Sequence, residues 1–304
     1  MGKNHRVFRE GFPHHTYTRG LDGNVLFYSQ ADCVYFLTLY FCLARRYGIT
    51  VLAFCEMPNH FHSNEQASAK QAFLRFQARL NSMVVQVYTQ EHGRSGALLD
   101  ASFGYAAKTA GKRIRDNLCY IANNAAVGKL SDDIVKYRWN LLAYRESDHP
   151  FSDPINPRKS TRAMKRALAK VKYFREHDLP LTYTRQRAIM MGLTSGERHQ
   201  ILDYIISRYN GLDYKAMEAF YNNSFQQACL SFRANSGSEH DIPEDYEDYR
   251  NYSRMLRLSE AEGVDLAHGC PEKLDGDDIS RLFCVFQMQG LPLRQIRHFL
   301  HLAD

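Results

Sequence analysis

The sequence predicts an α+β fold: an antiparallel sheet with helices on one face, followed by a mostly α-helical C-terminal region. Three observations carry this. The first hundred or so residues alternate between short extended stretches and long segments with apolar residues every three or four positions. Turn chemistry separates them, at Asp22-Gly23-Asn24, Gly48, Pro58-Asn59 and Gly93. Beyond residue 158 the apolar period is that of helices.

Residues 1–12 are polar and basic and read as a short arm. Residues 14–19 alternate and make a first strand. From Ser29 to Tyr47 the pattern is helical, with Val34, Leu37, Tyr40, Phe41 and Ala44 on one face and Gly48 as the stop. Ile49 to Glu56 is the next strand, and a turn at Pro58-Asn59 leads into another. Ser68 to Glu91 is a long helix turning Phe73, Phe76, Leu80, Val84 and Val87 toward the sheet. Gly93 to Gly96 is a basic loop, and Ser102 to Lys108 can form a further strand. A helix follows, with Ile114, Leu118 and Ile121 at helical spacing. The order strand–helix–strand–strand–helix–strand is that of a ferredoxin-like split β-α-β sheet.

With 304 residues the chain can bury a sizeable core and divides in two, residues 1–144 and 145–304. At 44% hydrophobic and 24% charged its composition is that of a soluble globular protein. The net charge of +6 is compatible with a polyanionic partner. Seven scattered cysteines with no Cys-x-x-Cys pair indicate neither a zinc ribbon nor a disulfide framework, and reduced thiols fit a cytoplasmic location. There is no apolar signal core and no run near the ~18 apolar residues of a membrane span.

The residues that carry chemistry centre on Met57-Pro58-Asn59-His60-Phe61-His62. Side chains alternate along a strand, so His60 and His62 share one face and Phe61 points to the core. Two adjacent imidazoles form a natural pair of metal ligands. Thirteen histidines make a chance His-x-His unremarkable, so the pair draws weight from a second group. Tyr120 and Asn124 lie four apart on one helical face, a phenol that can act as nucleophile beside an amide oxygen that can bind metal. The alternative for Tyr120 is an ordinary half-buried tyrosine.

Together these stretches resemble the single-tyrosine HUH transposases, in particular their REP-associated branch. The resemblance runs from about residue 13 to 144. It includes His15-Thr16-Tyr17-Thr18-Arg19-Gly20, Phe27 and Asp32, the Arg46-Tyr47-Gly48-Ile49 helix end, Met57 to His62, and Gln90 to Gly96. Tyr120-Ile121-x-x-Asn124 and Tyr137-Arg138-Trp139 complete it. It implies the same fold, a divalent cation (Mg2+ or Mn2+) held by His60, His62 and Asn124, and attack by Tyr120 on single-stranded or hairpin DNA. It also implies a homodimer in which one subunit's tyrosine completes the partner's pair. Two departures stand out. Ser63-Asn64-Glu65-Gln66 replaces apolar strand residues, which shortens or exposes that strand, and Ala125-Ala126 follows Asn124 in place of proline.

Candidate DNA contacts are Arg19, then Lys112, Arg113 and Arg115 on the Tyr120 helix. Arg158, Lys159, Arg162, Lys165 and Arg166 belong to a segment, Arg158 to Arg175, without acidic residues. That segment is either a solvated helix face or a phosphate-contacting one. The proline-bearing stretch 145–157 is a linker or a strapped loop. Thr194 to Tyr209, capped by Thr194 and Glu197, and Tyr214 to Arg233 read as two helices. Residues 235–249 form an acidic break. Asp277 to Gly290 and Leu293 to Leu302, with Arg294 and Arg297 on the second, resemble a helix-turn-helix reader at 277–302, or else a helical pair that closes the second domain.

Two other functions fit the same residues. One is a catalytically silent DNA-binding protein on this fold. The other is a metal-dependent hydrolase in which water, not Tyr120, is the nucleophile.

Overall fold

The structure is a computed structural model that describes residues 7–93, 96–100, 104–235, 247–266 and 271–302. The arm before residue 7, Arg94 and Ser95 of the basic loop, the start of the 102–108 strand and most of the acidic break lie outside the described residues.

The strands β1 (His14–Arg19), β2 (Thr50–Met57), β3 (His60–Gln66) and β4 (Gly104–Ala107) form an antiparallel sheet in the order β2-β3-β1-β4. Two crossover helices, α1 (Gln30–Tyr47) and α2 (Lys70–His92), cover one face. This is the split β-α-β arrangement that the element order implied. A third helix, α3 (Gly111–Val127), packs against β2 and β3 from the other face.

Local chemistry sets the ends of α1. The Ser29 hydroxyl accepts from the Asp32 N–H, and the Asp32 carboxylate accepts from the Ser29 N–H. This reciprocal cap satisfies two donors that the helix cannot. Gly48 ends it at φ 64°, a left-handed conformation that glycine adopts without strain. Phe61 then meets α1 at Phe36 (4.6 Å between ring centroids), and Tyr40 bridges Phe54 (5.0 Å) and Phe76 (5.4 Å). Burying each such side chain contributes roughly 1.5–3 kcal/mol.

The polar run after His62 does not shorten β3. Ser63, Asn64 and Glu65 are fully buried, and the strand continues to Gln66. Each has partners that no local pattern reveals. Glu65 accepts hydrogen bonds from Tyr40 (2.6 Å), Ser63 (2.7 Å), Thr16 (3.0 Å) and Gln77 (2.6 Å). On the opposite face Asn64 donates to Asn117 of α3 at 2.7 Å. A buried polar group so satisfied keeps its place in a strand.

The rest of the chain wraps the sheet. Helices α4 (Arg162–Glu176), α5 (Tyr183–Met190) and α6 (Ser195–Tyr209) lie outside α1. The second helix expected over 214–233 is broken. It forms α7 (Tyr214–Glu218), a short 3-10 turn, and α8 (Phe225–Ala234), because Asn222 and Asn223 take left-handed backbone and Ser224 caps a new start. α9 (Arg250–Ala261), α10 (Gly276–Met288) and α11 (Leu293–Leu300) close over the α3 side. Each apolar cluster mixes both halves of the chain. Tyr28, Met57 and Ile121 pack with Tyr252, Phe286 and Phe299, and Leu118 packs with Phe232.

Candidate active site

His15, Tyr17 and Arg19 of β1 and His60 and His62 of β3 share the α3 face, because Tyr17 pairs with His62 and Arg19 with His60 in register. The His60 and His62 rings stand 4.8 Å apart, edge to face. Tyr120, half-buried on α3, brings its ring to 5.3 Å from His62 and 5.7 Å from His15. Tyr17 covers His62 from the other side at 4.9 Å. Tyr120 thus meets the histidine pair of its own chain.

The orientation of each imidazole is set from behind. Asn59 donates to the Gly23 carbonyl at 3.0 Å, which fixes its amide and leaves Oδ1 to accept from His60 Nδ1 at 2.6 Å. The neutral His60 ring then keeps its lone pair on Nε2. His62 Nδ1 shares a hydrogen with His15 Nε2 at 2.9 Å, so His15 holds His62 as Asn59 holds His60. Partners of this kind orient metal-binding histidines. Burial, followed by the neighbouring His60 and His15, pushes the His62 pKa well below its ordinary value, which keeps the ring neutral and able to ligate. Gly23 has φ 80° and no Cβ, and a Cβ there would stand 2.3 Å from the Arg19 guanidinium.

Asn124 sits one turn beyond Tyr120, half-buried, and no hydrogen bond ties its side chain to either histidine among the described residues. Likewise, no three His, Cys, Asp or Glu side chains converge there as a ligand set. Two imidazoles side by side on one strand face, with one amide nearby, suit a divalent cation that keeps open positions for substrate oxygens.

The other expected contacts are spread widely. Lys112, Arg113 and Arg115 are exposed at the start of α3. Arg158 and Lys159 precede α4, and Arg162, Lys165 and Arg166 line its exposed side while Met164, Ala167 and Val171 face inward. This row lies outside α1, on the sheet face opposite His60 and His62. α11 does not have the exposure of a groove-reading helix. Gln295, Ile296, His298, Phe299 and Leu300 are buried, and only Leu293, Arg294 and Arg297 reach toward solvent. The pair α10–α11 instead closes the apolar cluster beside α3.

Sequence reasoning did not assign roles to His15, Tyr17, Asn59 or Tyr249. The alternation of β1 placed the first two on the histidine face. Tyr249 had no such signal. It comes from the far side of the acidic break, its backbone N–H donates to the Gly128 carbonyl, and its ring stands 5.8 Å from His60.

Sheet order and site define an α+β protein whose sheet face carries a histidine pair beneath one helix-borne tyrosine. The chain is similar to a solved structure described as "Structure of the REP associates tyrosine transposase bound to a REP hairpin". Identity is 11% and the TM-score 0.41, over 46% of this chain and 82% of that one. No family model and no curated protein matches the chain. Among the described residues, no helix is long and apolar enough to cross a membrane.

Proposed function

We propose that this protein cuts and rejoins single-stranded DNA by metal-dependent transesterification through Tyr120, in the manner of a transposase. The observation that carries this reading is the edge-to-face contact of Tyr120 with His62, with His60 beside it and His15 and Asn59 behind. His60 and His62, with the Asn124 amide, would hold a magnesium or manganese ion. When bound, the ion would engage a non-bridging phosphate oxygen and offset developing negative charge.

The remaining chemistry belongs to the chain. Tyr120 loses its phenolic proton and its oxygen attacks phosphorus. A P–O bond to Tyr120 forms, the P–O3′ bond breaks, and the 3′ oxygen leaves as a hydroxyl after gaining a proton. The product is a 5′-phosphotyrosine, and attack by a 3′-hydroxyl reverses the step without ATP. Tyr17 and Tyr120 offer rings on which unpaired bases can stack, and Arg19 and the exposed Lys112, Arg113 and Arg115 offer phosphate contacts. The α4 row would strengthen binding without reading sequence.

A denaturing gel with labelled hairpin DNAs and manganese tests this. A covalent band is expected from the wild-type protein, and none from Tyr120→Phe or His60→Ala. Burial favours a second reading, a silent DNA-binding protein, since His62 is 2% and His60 7% exposed. DNA retention without a covalent band would decide for it. Cleavage that survives Tyr120→Phe would instead point to water as the nucleophile.

A further inference from the structure

Beside the β2–β3 turn, at the β2 edge of the sheet, lies a cleft of about 260 Å3 that the proposed chemistry does not use. Phe27, Tyr28, Cys33, Glu56, Tyr137 and Trp139 line it. Glu56 is 1% exposed, and neither of its carboxylate oxygens has a hydrogen-bond partner among the described residues. The adjacent Cys33 thiol, a weak donor, is the nearest polar side chain to it, and burial raises the Glu56 pKa well above the carboxylate range. An unsatisfied buried polar group costs roughly 1–3 kcal/mol, and more when charged. Such a group, at the wall of an open cleft, is matched to a ligand that brings its own donors.

The rest of the wall narrows what that ligand is. Tyr137 is fixed by donating to the Glu56 carbonyl at 2.7 Å, and Tyr28 by donating to the Phe299 carbonyl at 2.6 Å. Trp139 and Phe27 are half-buried. Several aromatic side chains therefore surround a single carboxyl. A carboxyl that burial holds in its neutral form is a poor ligand for a divalent cation, which draws on charged carboxylates. A flat, π-faced molecule with an N–H donor on its edge satisfies both features. Guanine, adenine and cytosine carry an exocyclic amine, whereas thymine does not. The turn at Pro58 stands between the cleft and His60, so a base lodged here would sit on the same hairpin that presents the histidines.

We propose that this cleft takes one unstacked nucleobase of the single-stranded substrate, with its exocyclic amine donating to Glu56, and so selects against thymine. The inference rests on the DNA-processing reading above. Trp139 is the only tryptophan in the chain, so its fluorescence reports on the cleft. The intact protein would be titrated with deoxyguanosine, deoxyadenosine, deoxycytidine and thymidine. Nucleosides carry no phosphate, so the outcome does not depend on cleavage or on the basic surfaces. At least one amine-bearing nucleoside is expected to shift the emission saturably, at a concentration tenfold or more below that needed for thymidine. Glu56→Leu removes the acceptor and should abolish that preference without lowering Tm, because the weak Cys33 thiol contact is all that is lost. Equal responses to all four nucleosides, no response, or a preference that survives Glu56→Leu in a folded variant would each overturn the proposal. A covalent adduct in the gel assay with no nucleoside response would reject the cleft alone.

Discussion

His14 and His15 are neighbours in sequence that face opposite sides of β1 and do different work. His15 supports His62 beneath Tyr120. His14 turns to the α2 side, stacks on Phe8 at 4.6 Å and accepts the Arg9 N–H at 3.0 Å. Only the neutral ring can accept that bond. Burial lowers the His14 pKa to about 4 from the ordinary 6.5, so the unfolded chain binds a proton more readily than the folded one between those values. Stability should therefore be full above about pH 6.5 and fall as the pH drops toward 4. His14→Gln removes this share of the loss. Its Tm deficit against the wild type, measured by thermal melts, should shrink from pH 7 to pH 5.

At the scale of elements, the contact between α3 and the segment before α9 holds the site together. Gly128, just past α3, has no Cβ, and one there would stand 2.6 Å from the Tyr249 ring and 2.9 Å from Met57. The Met57 side chain can yield, but the buried Tyr249 ring beside His60 cannot do so cheaply. Gly128→Ala should destabilise the fold by about 1–3 kcal/mol, read as a lower urea midpoint at unchanged slope. The same elements show what could be read in advance. Alternation alone placed His60 and His62 together, and helical spacing placed Tyr120 and Asn124 on one face. The Gly48 stop marked the end of α1, and capping chemistry marked the start of α6, whose Thr194–Glu197 box is present, whereas the Ser29–Asp32 box was not read. What stayed hidden depends on partners distant in sequence. Ser63, Asn64 and Glu65 are buried only because Tyr40, Gln77 and Asn117 reach them. His298 lies beside Arg297 on α11, yet Glu247 and Tyr252 draw it inward. The break at Asn222 needs two left-handed residues that the helical period of 214–233 does not reveal.

Across the whole molecule, the apolar clusters run through the division expected at residue 144. Val25, Tyr28, Met57, Ile121 and Ala125 are buried in a cluster completed by Tyr252, Met255, Phe286 and Phe299. Residues 1–144 made alone would expose that surface. Circular dichroism and gel filtration should find them aggregated or without a cooperative melt, while the full chain unfolds in one transition. The hydrogen bond from Tyr28 to Phe299 spans 271 residues. Contacts this distant along a chain form late and slow folding. During synthesis the sheet, the histidines and Tyr120 all leave the ribosome before the residue that fixes Tyr28 has been added. A nascent chain would therefore carry every proposed reactive group and still lack one finished wall of the Glu56 cleft until translation has passed Phe299.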